Sequence, residues 1–144
     1  MASVKQQSHH EEALEPLIGD WTVAIGNPAV SPDPIPARHR FEWTLNGAFV
    51  LLNFTVDHPR FPDATALLGA DTMHYFDTRG VARKLNMSLA DGVWKLWRHD
   101  PDFWQRFTGR IGEDGASIAG AWEMSHDEGA TWKHDMTMDY TKNG

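Results

Sequence analysis

The chain has 144 residues, 41% of them apolar and 23% charged, a balance that suits one globular domain with its own core and argues against disorder. Its net charge is −7 and basic residues never cluster beyond two neighbours, which argues against a nucleic acid or an anionic membrane as partner. There is no cysteine, so disulfide frameworks, thiol nucleophiles and thiolate metal sites are excluded.

Residues 1–7 are polar and expected to be loose, and the first ten residues hold no apolar stretch of the signal-peptide kind. The expectation is a cytoplasmic protein with no transmembrane span. Ser8 and Glu11 have the spacing of a capping box, which predicts a short N-terminal helix through Leu14 that stops near Pro16. Leu14, Leu17 and Ile18 would pack that helix on the body. Gly19-Asp20-Trp21 then opens a strand running through Ile25.

The stretch 27–37 carries Pro28, Pro32, Pro34 and Pro36 and reads as an extended surface loop, with a lid as the sharper alternative. From His39 onward almost everything alternates with the period of a strand. His39, Phe41, Trp43 and Leu45 form one face of a strand that ends at the hairpin signal Asn46-Gly47. The next strand runs from Ala48 to Val56, and a loop with two prolines follows over 57–63. Thr65 to Leu68 reads as a short strand. In the strand from Asp71 to Asp77, the flanking aspartates share parity with Met73 and Tyr75, which makes Thr72, His74 and Phe76 the expected inward set. Val81, Arg83, Leu85, Met87 and Leu89 form the inward row of the next strand, closed by Asp91-Gly92. Val93 to Arg98 is apolar on both faces; Phe103, Gln105 and Phe107 alternate after it; Ile118, Gly120, Trp122 and Met124 line the penultimate strand.

The last strand, over 131–141, is the most informative. Trp132, His134, Met136, Met138 and Tyr140 share one side, with Lys133, Asp135, Thr137, Asp139 and Thr141 on the other. A plain core would use Val, Ile and Leu there; a histidine, flexible methionines and two polar-tipped aromatics suit the wall of a cavity. About ten antiparallel strands joined by short turns predict an all-β fold, an up-and-down antiparallel β-barrel with a short N-terminal helix, in a single domain over 1–144. Its predicted pocket is lined by Trp43, Phe54, Met87, Phe107, Trp122, His134, Met136 and Tyr140, with His39, His74, Arg83 and Gln105 as polar points.

Three groups of residues carry resemblances. Ser125, Asp127, Gly129, Thr131 and Trp132 fit the pattern Ser-x-Asp-x-Gly-x-Thr-Trp and resemble the Asp-box hairpin of sialidases and other β-propellers. It occurs once, and its physical content is a turn that sets the last hairpin. Gly19-Asp20-Trp21 resembles the Gly-x-Trp signature of lipocalins and wider calycins, which implies a Trp plugging one barrel end. In lipocalins a basic residue near the last strand covers that Trp; here Lys142 is placed to do so. Phe41-Glu42-Trp43, the run from Met73 to Asp77, Arg106 to Gly109 and the Gly120 to Trp132 hairpin are similar to bacterial lipocalin-like proteins of the DUF1579 type, in the same broad group as nitrobindins. The resemblance spans residues 14–141, implies a ten-stranded barrel and names no reaction.

Strand parity aims His39, His74 and His134 inward, where a neutral imidazole can serve as base, iron ligand or simply a hydrogen-bonded cavity residue. Arg83, in an apolar row, sits either at the rim or against a ligand carboxylate or enolate. Three function classes follow. The first is a binding module for a small hydrophobic or aromatic molecule, with no cofactor. The nitrobindin resemblance adds a version in which His134 holds haem iron; no other metal is expected. The second is an isomerase, cyclase or hydratase with His134 or His74 as general acid/base and Arg83 or Tyr140 stabilising negative charge. The third is a protein-interaction domain. Trp94, Leu96, Trp97 and Trp104, on strands apolar on both faces, point to an outer aromatic face and a homodimer.

Overall fold

The computed structural model describes residues 13–101 and 103–143. Residues 13 and 14 are helical and run into a 3-10 turn, Glu15–Leu17, in which Pro16 occupies an early position that needs no backbone donor. The capping box at Ser8 and Glu11 lies outside the described residues. Among the described residues no helix is long and apolar enough to cross a membrane.

Ten strands follow: β1 Gly19–Gly26, β2 Ile35–Thr44, β3 Phe49–Val56, β4 Ala64–Leu68, β5 Thr72–Asp77, β6 Ala82–Ala90, β7 Val93–Asp100, β8 Phe103–Ile111, β9 Ser117–Ser125 and β10 Lys133–Lys142. Each pairs antiparallel with its chain neighbours, and β1 closes the barrel on β10 through pairs such as Val23 with Tyr140. The meander is therefore a closed ten-stranded barrel with no open edge.

Alternation is cleanest in β2, where Ile35, Ala37, His39 and Phe41 are buried and Pro36, Arg38, Arg40 and Glu42 are exposed. That strand begins inside the proline-rich stretch expected to be loop. Ile35 and Ala37 bury against Ile25 and Val23 of β1, and this pairing outweighs the loop signal of the prolines. Asp91 and Gly92 both have positive φ and form the two-residue turn their sequence predicts. Asn46-Gly47 instead lies in a wider loop over 45–48, with Leu45, Asn46 and Gly47 all at positive φ.

One barrel end is plugged. Trp21 is fully buried beside Leu14 and Leu17, and its indole N–H donates to the Leu17 carbonyl at 2.9 Å. The Lys142 ammonium lies 5.4 Å from the centre of its ring, as the sequence suggested. The Asp-box residues fold the β9–β10 connection. The Ser125 hydroxyl donates to Asp127 at 2.7 Å, Gly129 N–H donates to Ser125 Oγ at 2.9 Å, and Thr131 N–H donates to Asp127 at 2.8 Å. Gly129 has φ 86°, and a Cβ there would meet the Trp104 ring at 2.5 Å. The hydroxyl of Thr131 and the other bonds to Asp127 hold its carboxyl down at about pKa 2. The last hairpin is thus anchored by its turn.

Candidate functional site

The end of the barrel opposite Trp21 is hollow. A cavity of about 320 Å³ lies among the inward side chains of that half. Its depth is walled by Ile25, Leu52, Met73, Leu85, Leu96 and Met138, supplied by six different strands. Its aromatic floor is His39, Trp94, Phe107 and Tyr140, all buried. Phe54, Tyr75, Trp122 and Met136 stand higher on the wall and are half-buried. The rim adds Val56, then Arg60, Phe61 and Pro62 from the β3–β4 loop, Arg79 from the β5–β6 turn, and Arg83, Gln105 and Asp135.

His39 is 3% exposed and enclosed by rings, 4.6 Å from a tilted Phe54 and 5.0 Å from Tyr140, met edge-on, between centroids. Among the described residues neither of its ring nitrogens has a hydrogen-bond partner, and the same holds for the indole nitrogen of Trp94. Burial pushes the imidazole pKa down to about 3, so His39 is neutral. Burial pushes the Tyr140 hydroxyl far up, so it remains protonated.

At the rim the arginines differ. The Arg79 guanidinium is committed: it donates to Asp77 at 2.6 and 3.1 Å, and Tyr75 O–H donates to the same carboxyl at 2.7 Å. Arg79, with help from Tyr75, holds the Asp77 carboxyl well below the usual carboxylate range. Burial, and then the bond to Asp77, pushes Tyr75 up to about 12. Arg98 is committed too, bonded to Asp100 and, at 3.2 Å, to the side-chain oxygen of Gln105. Arg83 makes no hydrogen bond or ion pair with the described residues although it lines an apolar cavity and is half-buried. It sits close enough to Arg98 that, after burial, its charge is the second cause lowering the proton affinity of Arg98.

Of the twelve side chains the sequence assigned to a pocket, the structure brings His39, Phe54, Arg83, Gln105, Phe107, Trp122, Met136 and Tyr140 to the cavity. Trp43 and Met87 face inward but pack in the plugged half, beyond the cavity. His74 and His134 are corrections: both are exposed on the outside. For His74 the whole parity of β5 is reversed. Tyr75 pairs with Arg83 and Met73 with Leu85, and these pairs face in. The aspartate that argued otherwise, Asp77, is itself inward, its carboxyl covered and neutralised by Arg79. For His134 the cause is a bulge between His134 and Met136, which leaves His134 outside and turns Asp135 onto the cavity wall. A haem held by His134 does not fit this arrangement. Neither His134 nor His74 lines the cavity.

Sequence reasoning missed Trp94, Tyr75, Asp135 and the loop residues Arg60 and Phe61. Trp94 and Leu96, on a strand whose two apolar faces the sequence did not tell apart, are 1% and 2% exposed and face inward. Their signal was available: across Asp91-Gly92 they pair with Leu89 and Met87 of the inward row. Asp135 left no signal, because a bulge has no fixed sequence signature.

No protein-family profile matches this chain, and no curated protein does. Among solved structures, the crystal structure of Rv2717c from M. tuberculosis is similar, with a TM-score of 0.67, 14% identity, and 96% of this chain and 100% of that chain covered. That likeness shows the shared barrel fold.

Proposed function

We propose that this barrel binds a small, largely apolar molecule in the cavity at its open end. The observation that carries the reading is the cavity itself, apolar on its walls, with a buried His39 at its floor whose nitrogens lack a partner. Such an enclosure with a few polar points is the usual form of a small-molecule site. Met73, Met136 and Met138 give the wall adaptable, polarisable side chains. Binding is favoured over acid–base catalysis because the histidine on the cavity wall is held neutral with a pKa of about 3, far from the value a base working near neutral pH needs.

The Gly-x-Trp plug under Lys142 supports a lipocalin-like relationship, and the DUF1579 and nitrobindin resemblances belong to the same reading. A cytoplasmic location is part of it. So is a homodimer, though its support is narrower than the sequence suggested: Trp94 and Leu96 face in, leaving Trp97 and Trp104 outside, and Trp104 is stacked on His99 at 3.9 Å. Light scattering at one 16.3 kDa chain would remove the dimer.

The test of binding is uptake of the neutral dye Nile red, together with mass spectrometry of any molecule that co-purifies. Dye emission should shift to the blue on mixing and be reversed by small aromatic compounds. Met136→Trp, which fills the cavity, should abolish uptake, whereas His134→Ala and His74→Ala should leave it unchanged. Absence of uptake, with nothing co-purifying, would defeat the reading.

A further inference from the structure

Resting on that reading, we propose that the ligand is an organic acid, with its apolar body in the barrel and its carboxylate held at the rim by the guanidinium of Arg83.

Charge at the rim is uneven. Arg60, Arg79 and Arg83 line the cavity and Asp135 is the acidic side chain that does so. This is an excess of positive charge on a chain whose net charge is −7. Part of that charge has an internal use. Arg79 is locked on Asp77, and Arg98 just behind the wall is locked on Asp100 and Gln105. Arg83 is the cation on the wall that faces apolar neighbours such as Leu85 and Tyr75 with no described partner. A half-buried guanidinium without a counter-charge has lost hydration and gained nothing in return. Beside it, burial and then the charge of Arg83 lower the proton affinity of Arg98. An anion placed between the cavity and these two arginines relieves both penalties at once.

The geometry selects a carboxylate on an apolar body. The guanidinium fork matches a planar carboxylate, and the space below it is walled by aliphatic, thioether and aromatic groups. Asp135 does not already serve as the anion, because no ion pair joins it to Arg83. Burial raises the proton affinity of Asp135, whose carboxyl faces the same cavity. Arg60 on the β3–β4 loop is exposed at the same rim and adds long-range attraction for an anion approaching the opening. At the far end of the ligand, the orphaned nitrogens of His39 and Trp94 and the Tyr140 hydroxyl mark the floor.

The experiment is displacement of Nile red by matched pairs, decanoic acid against decanol and naphthylacetic acid against naphthylethanol, on the full chain at neutral pH. In each pair the acid should bind about tenfold tighter or more, the usual effect of a hydrogen-bonded charge pair, and Arg83→Gln should reduce that preference to near parity. Equal binding of acid and alcohol, tighter binding of the alcohol, or dye uptake with neither displacing it would overturn the acid while leaving the pocket intact. No dye uptake at all would overturn both. Retained preference for the acid in a folded Arg83→Gln would overturn the assignment to Arg83. Should that variant fail to fold, Arg83→Lys keeps the charge and loses the fork; it should lose several-fold of the preference, and an unchanged preference would overturn the assignment equally.

Discussion

His39 is the side chain whose chemistry the sequence located best and described least. Its parity in β2 places it inward, but only the packed structure shows that the ring is enclosed by Phe54, Phe41 and Tyr140 with no partner for its nitrogens. Enclosure sets its protonation. Folded, it stays unprotonated down to about pH 3; unfolded, it takes up a proton below its ordinary 6.5. Acid therefore favours the unfolded chain. The stability tied to this group is complete above pH 6.5 and is lost as pH falls from there toward 3. The slope is about 1.4 kcal/mol per pH unit, roughly 2 kcal/mol between about pH 6.5 and about pH 5. Asp77 and Asp127, whose carboxyls are lowered, lose stability only below the ordinary carboxylate value of 3.8. Asp135, whose carboxyl is raised, acts with the opposite sign above it. Loss of stability on acidification in the interval below neutrality is therefore the mark of His39. Urea unfolding across it should show the loss in the wild type and a flatter profile in His39→Leu; parallel profiles would show that the imidazole is solvated and able to charge.

At the scale of the strand, period two reads faces well and fails where a neighbour decides. β2 and β6 are legible from their own residues, and four of the twelve pocket assignments, His39, Trp43, Arg83 and Met87, rest on them. β5 is not, because its inward aspartate is neutralised by Arg79 in the following turn. β10 is legible only beyond its bulge, where Met136, Met138 and Tyr140 face in as predicted. Two glycines show the same dependence on neighbours. Gly109 and Gly120 are paired on β8 and β9, and a Cβ on either would press on the Phe107 ring, at 2.9 and 2.7 Å. At Gly120 it would also meet the Met138 carbonyl at 2.8 Å, a backbone atom that cannot swing aside. Their bare backbone makes room for a ring that forms the cavity floor. Gly120→Ala should therefore cost about 1–3 kcal/mol of stability by overpacking. It should also weaken dye binding by displacing Phe107. A urea midpoint equal to that of the wild type would mean that β9 can shift outward to absorb the methyl group.

The whole barrel is two halves with different duties, and depth along the axis is the property that face parity cannot express. Trp43 and Met87 point inward as expected yet lie in the plugged half, where Trp21, Phe41, Val50 and Leu68 fill the interior. Near the opening, Phe54, Tyr75, Trp122 and Met136 are only half-buried, and the rim is built from a loop and a turn. Tight packing in one half and a cavity in the other imply unequal local stability, since segments with fewer buried contacts open at lower cost. A ligand that fills the cavity adds contacts to the loose half alone. At a concentration about a hundred times its dissociation constant it should raise global stability by about 2.7 kcal/mol. Hydrogen exchange separates the two halves. Without ligand, amides of the β6–β7 hairpin and the Trp21 end of β1 should exchange slowest, and those of the β3–β4 loop and β5–β6 turn fastest. Bound ligand should slow exchange most in the loop around Phe61 and in the adjoining ends of β3 and β10, with little change beside Trp21. Equal slowing along all ten strands would mean that the ligand stabilises the barrel only through global unfolding, and slowing confined to the outer strand faces would place it outside the barrel.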